Sequence, residues 1–265
     1  MSLSNKIHFI HANGFPPNAY QSIFKQIDNN LDIIKFNFID SKYLNIKNWI
    51  PFHTDFINSL DTKKKIIGMG HSIGGNIILR SAISNPEYFS KIILLDPTLF
   101  VPRIILMWKI AIYLNMHRFF HPWVKATLKR KMHYKNFNSI YESYRNKEVF
   151  KKINNNNLSI YIDSITEKND DDSINITYPK ELEYQIYKTG LLADFYIWKH
   201  IKNLKVPTLI IRSKLSNAFL DSASKKIANI NKNIKIIEMD NCTHLFPLEI
   251  PELTSIPIIK FLNKN

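Results

Sequence analysis

Ile66-Ile67-Gly68-Met69-Gly70-His71-Ser72-Ile73-Gly74-Gly75 is the stretch on which the fold turns. It begins as a short apolar run with the look of a strand buried on both faces. It then breaks at Gly70-His71-Ser72-Ile73-Gly74, a G-x-S-x-G spacing, and opens a helix-like run from Ile73 to Ser84. Asn85-Pro86 ends that helix, since a residue before proline avoids helical angles. The spacing has a steric reason. A serine at a very tight strand-to-helix turn needs small neighbours two positions away on either side, because their side chains would collide. Such a turn lifts the hydroxyl clear of the sheet and points the Ile73 backbone N–H toward a developing negative charge. A bare G-x-S-x-G is a weak signal. The strand, turn and helix around it make Ser72 a candidate nucleophile rather than an idle serine in a glycine-rich turn.

Upstream, Lys6 to Ile10 and Asp32 to Ile39 read as strands, with helices near Tyr20 to Ile27 and from Trp49 to Leu60. Downstream, Lys91 to Leu95 is a fourth strand ending at Asp96-Pro97. The rhythm resumes with strands at Pro207 to Arg212 and Ile234 to Met239, and helices at Ser222 to Asn229 and Glu252 to Leu262. Strands alternating with helices predict an α/β protein, a mainly parallel sheet covered on both faces. Between Thr98 and Lys205 the pattern is mostly helical, aromatic and basic, without clear strands. That predicts a core of residues 1–97 and 206–265 interrupted by a helical cap, residues 98–205. The runs Asn154 to Asn157 and Asp170 to Asp172 read as loops inside the cap.

Composition narrows the class. The 265 residues are 45% hydrophobic and 22% charged, which suits a globular domain and is too apolar for wholesale disorder. The longest apolar run, Ile104 to Leu114, is interrupted by Lys109 and falls short of the roughly 20 residues a membrane span needs. No transmembrane segment is expected, and without a signal-peptide pattern after Met1 the expected location is cytoplasmic. A single cysteine, Cys242, leaves no intrachain disulfide and no cysteine-rich zinc site. The net charge of +14 comes from 30 Lys and only 6 Arg, alongside 43 Ile and 29 Asn. These are residues of AT-rich codons, and arginine's bidentate fork is scarce, so no specific nucleic-acid partner is expected. The excess charge would still attract anionic surfaces or substrates.

A nucleophile needs a base, and His244 supplies a candidate in the loop after the last strand, Met239-Asp-Asn-Cys-Thr-His244-Leu-Phe-Pro-Leu-Glu-Ile-Pro251. From there an imidazole can reach over the sheet's C-terminal edge to Ser72. The loop after the first strand, His11-Ala-Asn-Gly-Phe-Pro-Pro17, can offer a second oxyanion donor, the N–H of Asn13 or of Gly14, beside that of Ile73.

Together these segments resemble the α/β-hydrolase family across nearly the whole chain. The resemblance rests on His11-Ala12-Asn13, on the elbow at Ser72, and on His244 followed by Pro247-Leu-Glu249-Ile-Pro251. It implies a hydrolase with the chain order nucleophile, acid, histidine and a substrate pocket beneath a cap. The chain departs from the family in three places. The usual opening pair of strands is missing, and Ala12 and Thr243 replace glycines. The loop after Arg212, where the family presents its acid, reads Ser213-Lys-Leu-Ser-Asn217-Ala-Phe219 with no carboxylate.

An amide in place of that acid costs a serine triad about four orders of magnitude. Asp96 is the expected substitute, because it ends the strand between those of Ser72 and Pro207, and neighbouring strands lie about 4.8 Å apart. The other reading of Asp96 is a turn residue before Pro97; Asp221 is the second candidate acid, and Asp194 and Asp240 trail. The expected activity is cofactor-independent, metal-free cleavage of a carboxylic ester through an acyl-serine. A thioesterase, an amidase, a carbon–carbon bond hydrolase and a non-catalytic ligand receptor of the same fold remain as alternatives. The expected partner is a small ester or acyl compound, anionic or lipid-like given the basic cap. From Arg103 to Lys135 the chain has eight Lys and Arg and no acidic residue, with aromatics interleaved. That pattern fits a lid facing anionic lipid, or more simply a cap with an aromatic inner and lysine-rich outer face.

Overall fold

The structure is a computed structural model that describes residues 6–27, 31–61, 64–116, 122–190, 192 and 194–264. Nine strands are present in the described residues: β1 (Lys6–Ile10), β2 (Asp32–Phe36), β3 (Ile66–His71), β4 (Phe89–Leu95), β5 (His133–Tyr134), β6 (Thr166–Lys168), β7 (Ile174–Ile176), β8 (Thr208–Ser213) and β9 (Ile234–Met239). Six of them form one sheet in the order β2-β1-β3-β4-β8-β9, every pair parallel. The doubly covered α/β architecture expected from the sequence is therefore the one observed.

Parallel strands with helices on both faces must be apolar on both sides, and β4 is. Ile92 and Leu94 join one buried cluster with Phe52, Phe56 and Ile78, while Ile93 and Leu95 join the other with Phe9, Met69 and Phe246. The alternation along one strand is the period of two that sends successive side chains to opposite faces. Ser72 sits where β3 ends and the helix Ile73–Ser84 begins, and Asp96 directly follows β4. The sheet's C-terminal edge therefore gathers the loops of interest.

Between β4 and β8 the sequence reads as mostly helical without clear strands, and the structure has three strands there. The strands β5, β7 and β6 form a small antiparallel sheet. Strands of two or three residues are too short to show a period, which is why they were invisible in the sequence. Asp170 to Asp172 is indeed the loop of the β6–β7 hairpin. Asn154 to Asn157 is instead a helix start: the Asn154 side chain accepts from the Asn157 N–H at 2.8 Å, capping the helix Asn155–Ile165. Both buried clusters continue into this region through Ile105, Ile186 and Ile197 on one side and Tyr144, Tyr161 and Ile162 on the other. The helix Pro102–Tyr113 departs from expectation as well: its outward side is apolar rather than lysine-rich.

Candidate active site

Ser72 has φ 56° and ψ −118°, a conformation that costs a non-glycine residue energy and must be held by its surroundings. Several contacts hold it. Its N–H donates to Leu95 O of β4 at 3.0 Å, and its carbonyl accepts from Thr98 N at 2.9 Å. The neighbouring glycines are obligatory on steric grounds. A Cβ at Gly70 would lie 2.3 Å from Gly74 O, and one at Gly74 would lie 2.1 Å from Ile10 O. Crowding thus arises within the turn, as the spacing implies, and also against the end of β1.

His244 and Asp96 come together. His244 Nδ1 lies 2.6 Å from Asp96 Oδ2, with Asp96 fully buried and the His244 side chain still partly open to solvent. Asp96 has φ 41°, and its N–H donates to Ile211 O of β8 at 2.7 Å. Its second oxygen accepts from Ser213 N at 3.3 Å. A carboxylate so placed fixes the imidazole with its Nδ1 as donor, leaving Nε2 as the free base. The other acids do not meet the histidine. Asp221 pairs with Lys225 at 2.7 Å and Asp240 with Lys214 at 2.6 Å. Asp194 is buried against Asn76, whose Nδ2 donates to it at 2.8 Å, and Asn217 is exposed.

Ser72 Oγ is hydrogen-bonded to Thr98 Oγ1 at 3.0 Å, and among the described residues no hydrogen bond joins it to His244. Thr98 was not foreseen. Its carbonyl accepts from Asn76 Nδ2 at 2.7 Å, so the helix after Ser72 anchors it. Nothing local in Asp-Pro-Thr announces a partner 26 residues away.

On the other side, the Ile73 and Asn13 N–H groups make no hydrogen bond among the described residues. The Asn13 side chain is held at both ends, donating to Glu183 O at 3.0 Å and accepting from Tyr178 OH at 3.1 Å. Gly14 takes the left-handed conformation, φ 79°, and its carbonyl accepts from Tyr161 OH at 3.2 Å. Beneath this loop, Glu183 forms a buried ion pair with Arg130. Burial pushes the Glu183 carboxyl up, against the pull of the guanidinium.

A chain of hydrogen bonds links the three loops of the site. Ala12 N–H donates to Tyr20 OH at 3.2 Å, and Tyr20 OH donates to His71 Nδ1 at 2.7 Å. His71 Nε2–H then donates to His244 O at 2.9 Å. Burial and the nearby His244 ring hold His71 well below the usual imidazole range, so it is neutral. Only one tautomer satisfies the chain. The His244 loop is also held by Glu249, which accepts from Thr243 N at 2.8 Å.

Among the described residues no group of three or more His, Cys, Asp or Glu side chains is arranged to hold a metal ion. Asp171 is engaged by Ser173 and Asp172 by Lys168. A cavity of about 630 Å³ is lined by Lys135, Phe137 and Asp163, and a smaller one by Asn18, Ile160 and Asp163; Ser72 lines neither. No described helix is long and apolar enough to cross a membrane.

Residues 55–264 match the Ndr family, an α/β-hydrolase-fold family. The chain belongs to the Ndr family. Solved structures are similar to it over almost its whole length. E-2-(acetamidomethylene)succinate hydrolase superposes with a TM-score of 0.77 at 14% identity, covering 99% of this chain and 93% of that one. The peroxisomal α/β-hydrolase Lpx1 of Saccharomyces cerevisiae gives 0.72 at 17% identity, covering 98% and 77%. MenH from S. aureus gives 0.70 at 18%, covering 98% and 94%. No curated protein sequence matches this Ndr-family chain. At such identities the structural likeness establishes the α/β-hydrolase fold, as the sequence had suggested.

Proposed function

We propose that the protein is a serine hydrolase that cleaves a carboxylic ester through an acyl-enzyme on Ser72. The observation that carries this reading is the 2.6 Å pairing of His244 with the buried Asp96, at the edge where the strained Ser72 turn lies. Rotation about χ1 of Ser72 exchanges Thr98 for His244 as its hydrogen-bond partner. His244 Nε2 then takes the hydroxyl proton as Oγ bonds to the ester carbonyl carbon. The carbonyl oxygen becomes an oxyanion, held by the N–H groups of Ile73 and Asn13. Collapse breaks the bond to the alcohol, which leaves with the proton from His244. Water repeats the sequence on the acyl-serine and releases the acid. Asp96 keeps its charge throughout and stabilises the imidazolium. The neutral His71 matters here, because its ring centroid lies 4.8 Å from that of His244 and a positive charge there would oppose protonation. Thioester, amide and carbon–carbon bond cleavage use the same groups.

A second reading is favoured by the Ser72–Thr98 bond and by the family: Ndr members are often non-catalytic. In that reading the protein binds an acyl compound without turning it over. Intact mass after exposure to a small fluorophosphonate, with p-nitrophenyl acetate hydrolysis measured alongside, separates the two. A single adduct and an esterase rate, both lost in Ser72→Ala, support the hydrolase. A folded protein with neither adduct nor turnover overturns it, and ligand binding unchanged by Ser72→Ala would then favour the receptor.

A further inference from the structure

We propose that the outer face of the helix Pro102–Tyr113, continued by Leu114, docks on the surface of an anionic lipid bilayer. The helix is fixed from within. Ile105 and Trp108 are buried, and Trp108 Nε1 donates to Lys188 O at 3.1 Å on the helix Lys180–Thr189. Its opposite side is therefore turned to solvent. Arg103, Leu106, Met107, Ile110, Tyr113 and Leu114 stand at i, i+3, i+4, i+7, i+10 and i+11, which is one side of a helix, and all are exposed. Each of the five apolar side chains is more than half accessible, Tyr113 at 87%. An ordinary surface helix carries its charges on this side. Here the only charged residues of the helix are Arg103 and Lys109, and Lys109 lies over the Phe195 ring at 4.7 Å.

Charge selects the occupant. From Arg103 to Lys135 the sequence has eight cations and no carboxylate. The helix Pro122–Leu128 packs on the same helix Lys180–Thr189, and it ends on exposed Leu128, followed by exposed Lys129. One of the eight, Arg130, is paired with Glu183. An apolar strip on a helix that carries Arg103 and Lys109 and no acid has the composition of a helix lying in a lipid interface, its apolar side among the upper acyl chains and its cations at anionic headgroups. A second copy of the chain fits poorly. A two-fold contact through this face would bring like charges together, with no acid in the segment to neutralise them. The proposal is independent of any reaction at Ser72.

The test is co-sedimentation of the full chain with vesicles of phosphatidylcholine alone or mixed with phosphatidylserine, at low and high salt. Expected are pelleting with the mixed vesicles, little with phosphatidylcholine alone, and release by salt. The triple variant Leu106→Ser, Met107→Ser, Ile110→Ser should partition at least about tenfold more weakly. Its circular dichroism should be unchanged, because all three side chains face solvent. Failure of the wild type to pellet with phosphatidylserine overturns the proposal, as does equal binding to both vesicle types or undiminished binding by the triple variant. Sedimentation velocity showing a dimer that the same variant dissociates also overturns it, making the face a self-association surface.

Discussion

After β4 the chain turns at Asp96, buried completely, with one carboxylate oxygen on His244. After β8, the adjacent strand, it runs from Ser213 through exposed Asn217 to Leu220 without a carboxylate. The second loop has nevertheless not become idle. Ser213 N–H donates to Asp96 Oδ1, and Ser213 Oγ–H donates to Cys242 O at 2.6 Å, two residues before His244. One strand end presents the acid and its neighbour holds both the acid and the histidine loop. What the edge supplies is the meeting of carboxylate and imidazole, with the carboxylate from the end of β4 and its support from the end of β8.

Several experiments break or sharpen this division of labour. Asp96→Asn should lower kcat/KM by about four orders of magnitude, the loss seen when a triad carboxylate becomes an amide. A loss below about tenfold would mean that β4 does not present the acid. A second buried carboxyl serves as the control. Burial pushes Asp194 up to about 8, so its folded pKa lies above its unfolded value of 3.8. The folded state then favours the proton, and the stability it confers is full below pH 3.8 and lost as pH rises through about 8. Denaturant melts should show Asp194→Asn gaining on the wild type across that window, by several kcal/mol at its alkaline end, while the pH profile of activity keeps its shape. Ser213→Ala should cost about 1–3 kcal/mol of stability through the Cys242 carbonyl it leaves unpaired, with activity reduced less than about tenfold. Asn217→Asp should change the rate by less than about twofold, since the exposed side chain meets nothing at the site. A tenfold gain there would return the acid's role to the β8 loop.

On the acid side the signs reverse. His11 is buried, stacked on Phe38 with ring centroids 4.0 Å apart, and burial lowers it to about 4. Its folded pKa lies below 6.5, so it stabilises the fold above that pH, and the contribution disappears as pH falls through about 4. Acid melts should show stability falling from pH 6.5 downward, and less steeply in His11→Gln.

The elbow was legible because its constraint is local: glycines at 70 and 74 answer a steric demand made within five residues and by the strand beside them. His244 was legible from its place after the last strand, and Asp96 from the spacing of adjacent strands. Thr98, Tyr20 and Ser213 were not, because their partners are 26, 51 and 117 residues away and each is an ordinary residue in its own segment. The small antiparallel sheet escaped notice for lack of length, and the helix after Asn154 because an asparagine run resembles a loop until its first member is recognised as a cap. The outer face of Pro102–Tyr113 has a different cause: its all-round apolarity does not say which side turns inward, and the buried Trp108 decides that.

The polar series from Ala12 through Tyr20 and His71 to His244 has a direction. Every donor in it is spent on one acceptor, and the only backbone groups it uses lie in the loops after β1 and β9. A replacement that reverses or removes one link strands a buried group at the next, so tolerance at any of these positions is set by the identity of the others. Tyr20 and His71 are therefore expected to vary as a matched pair over evolutionary time, since a change in one alone shifts two loops that neither residue belongs to.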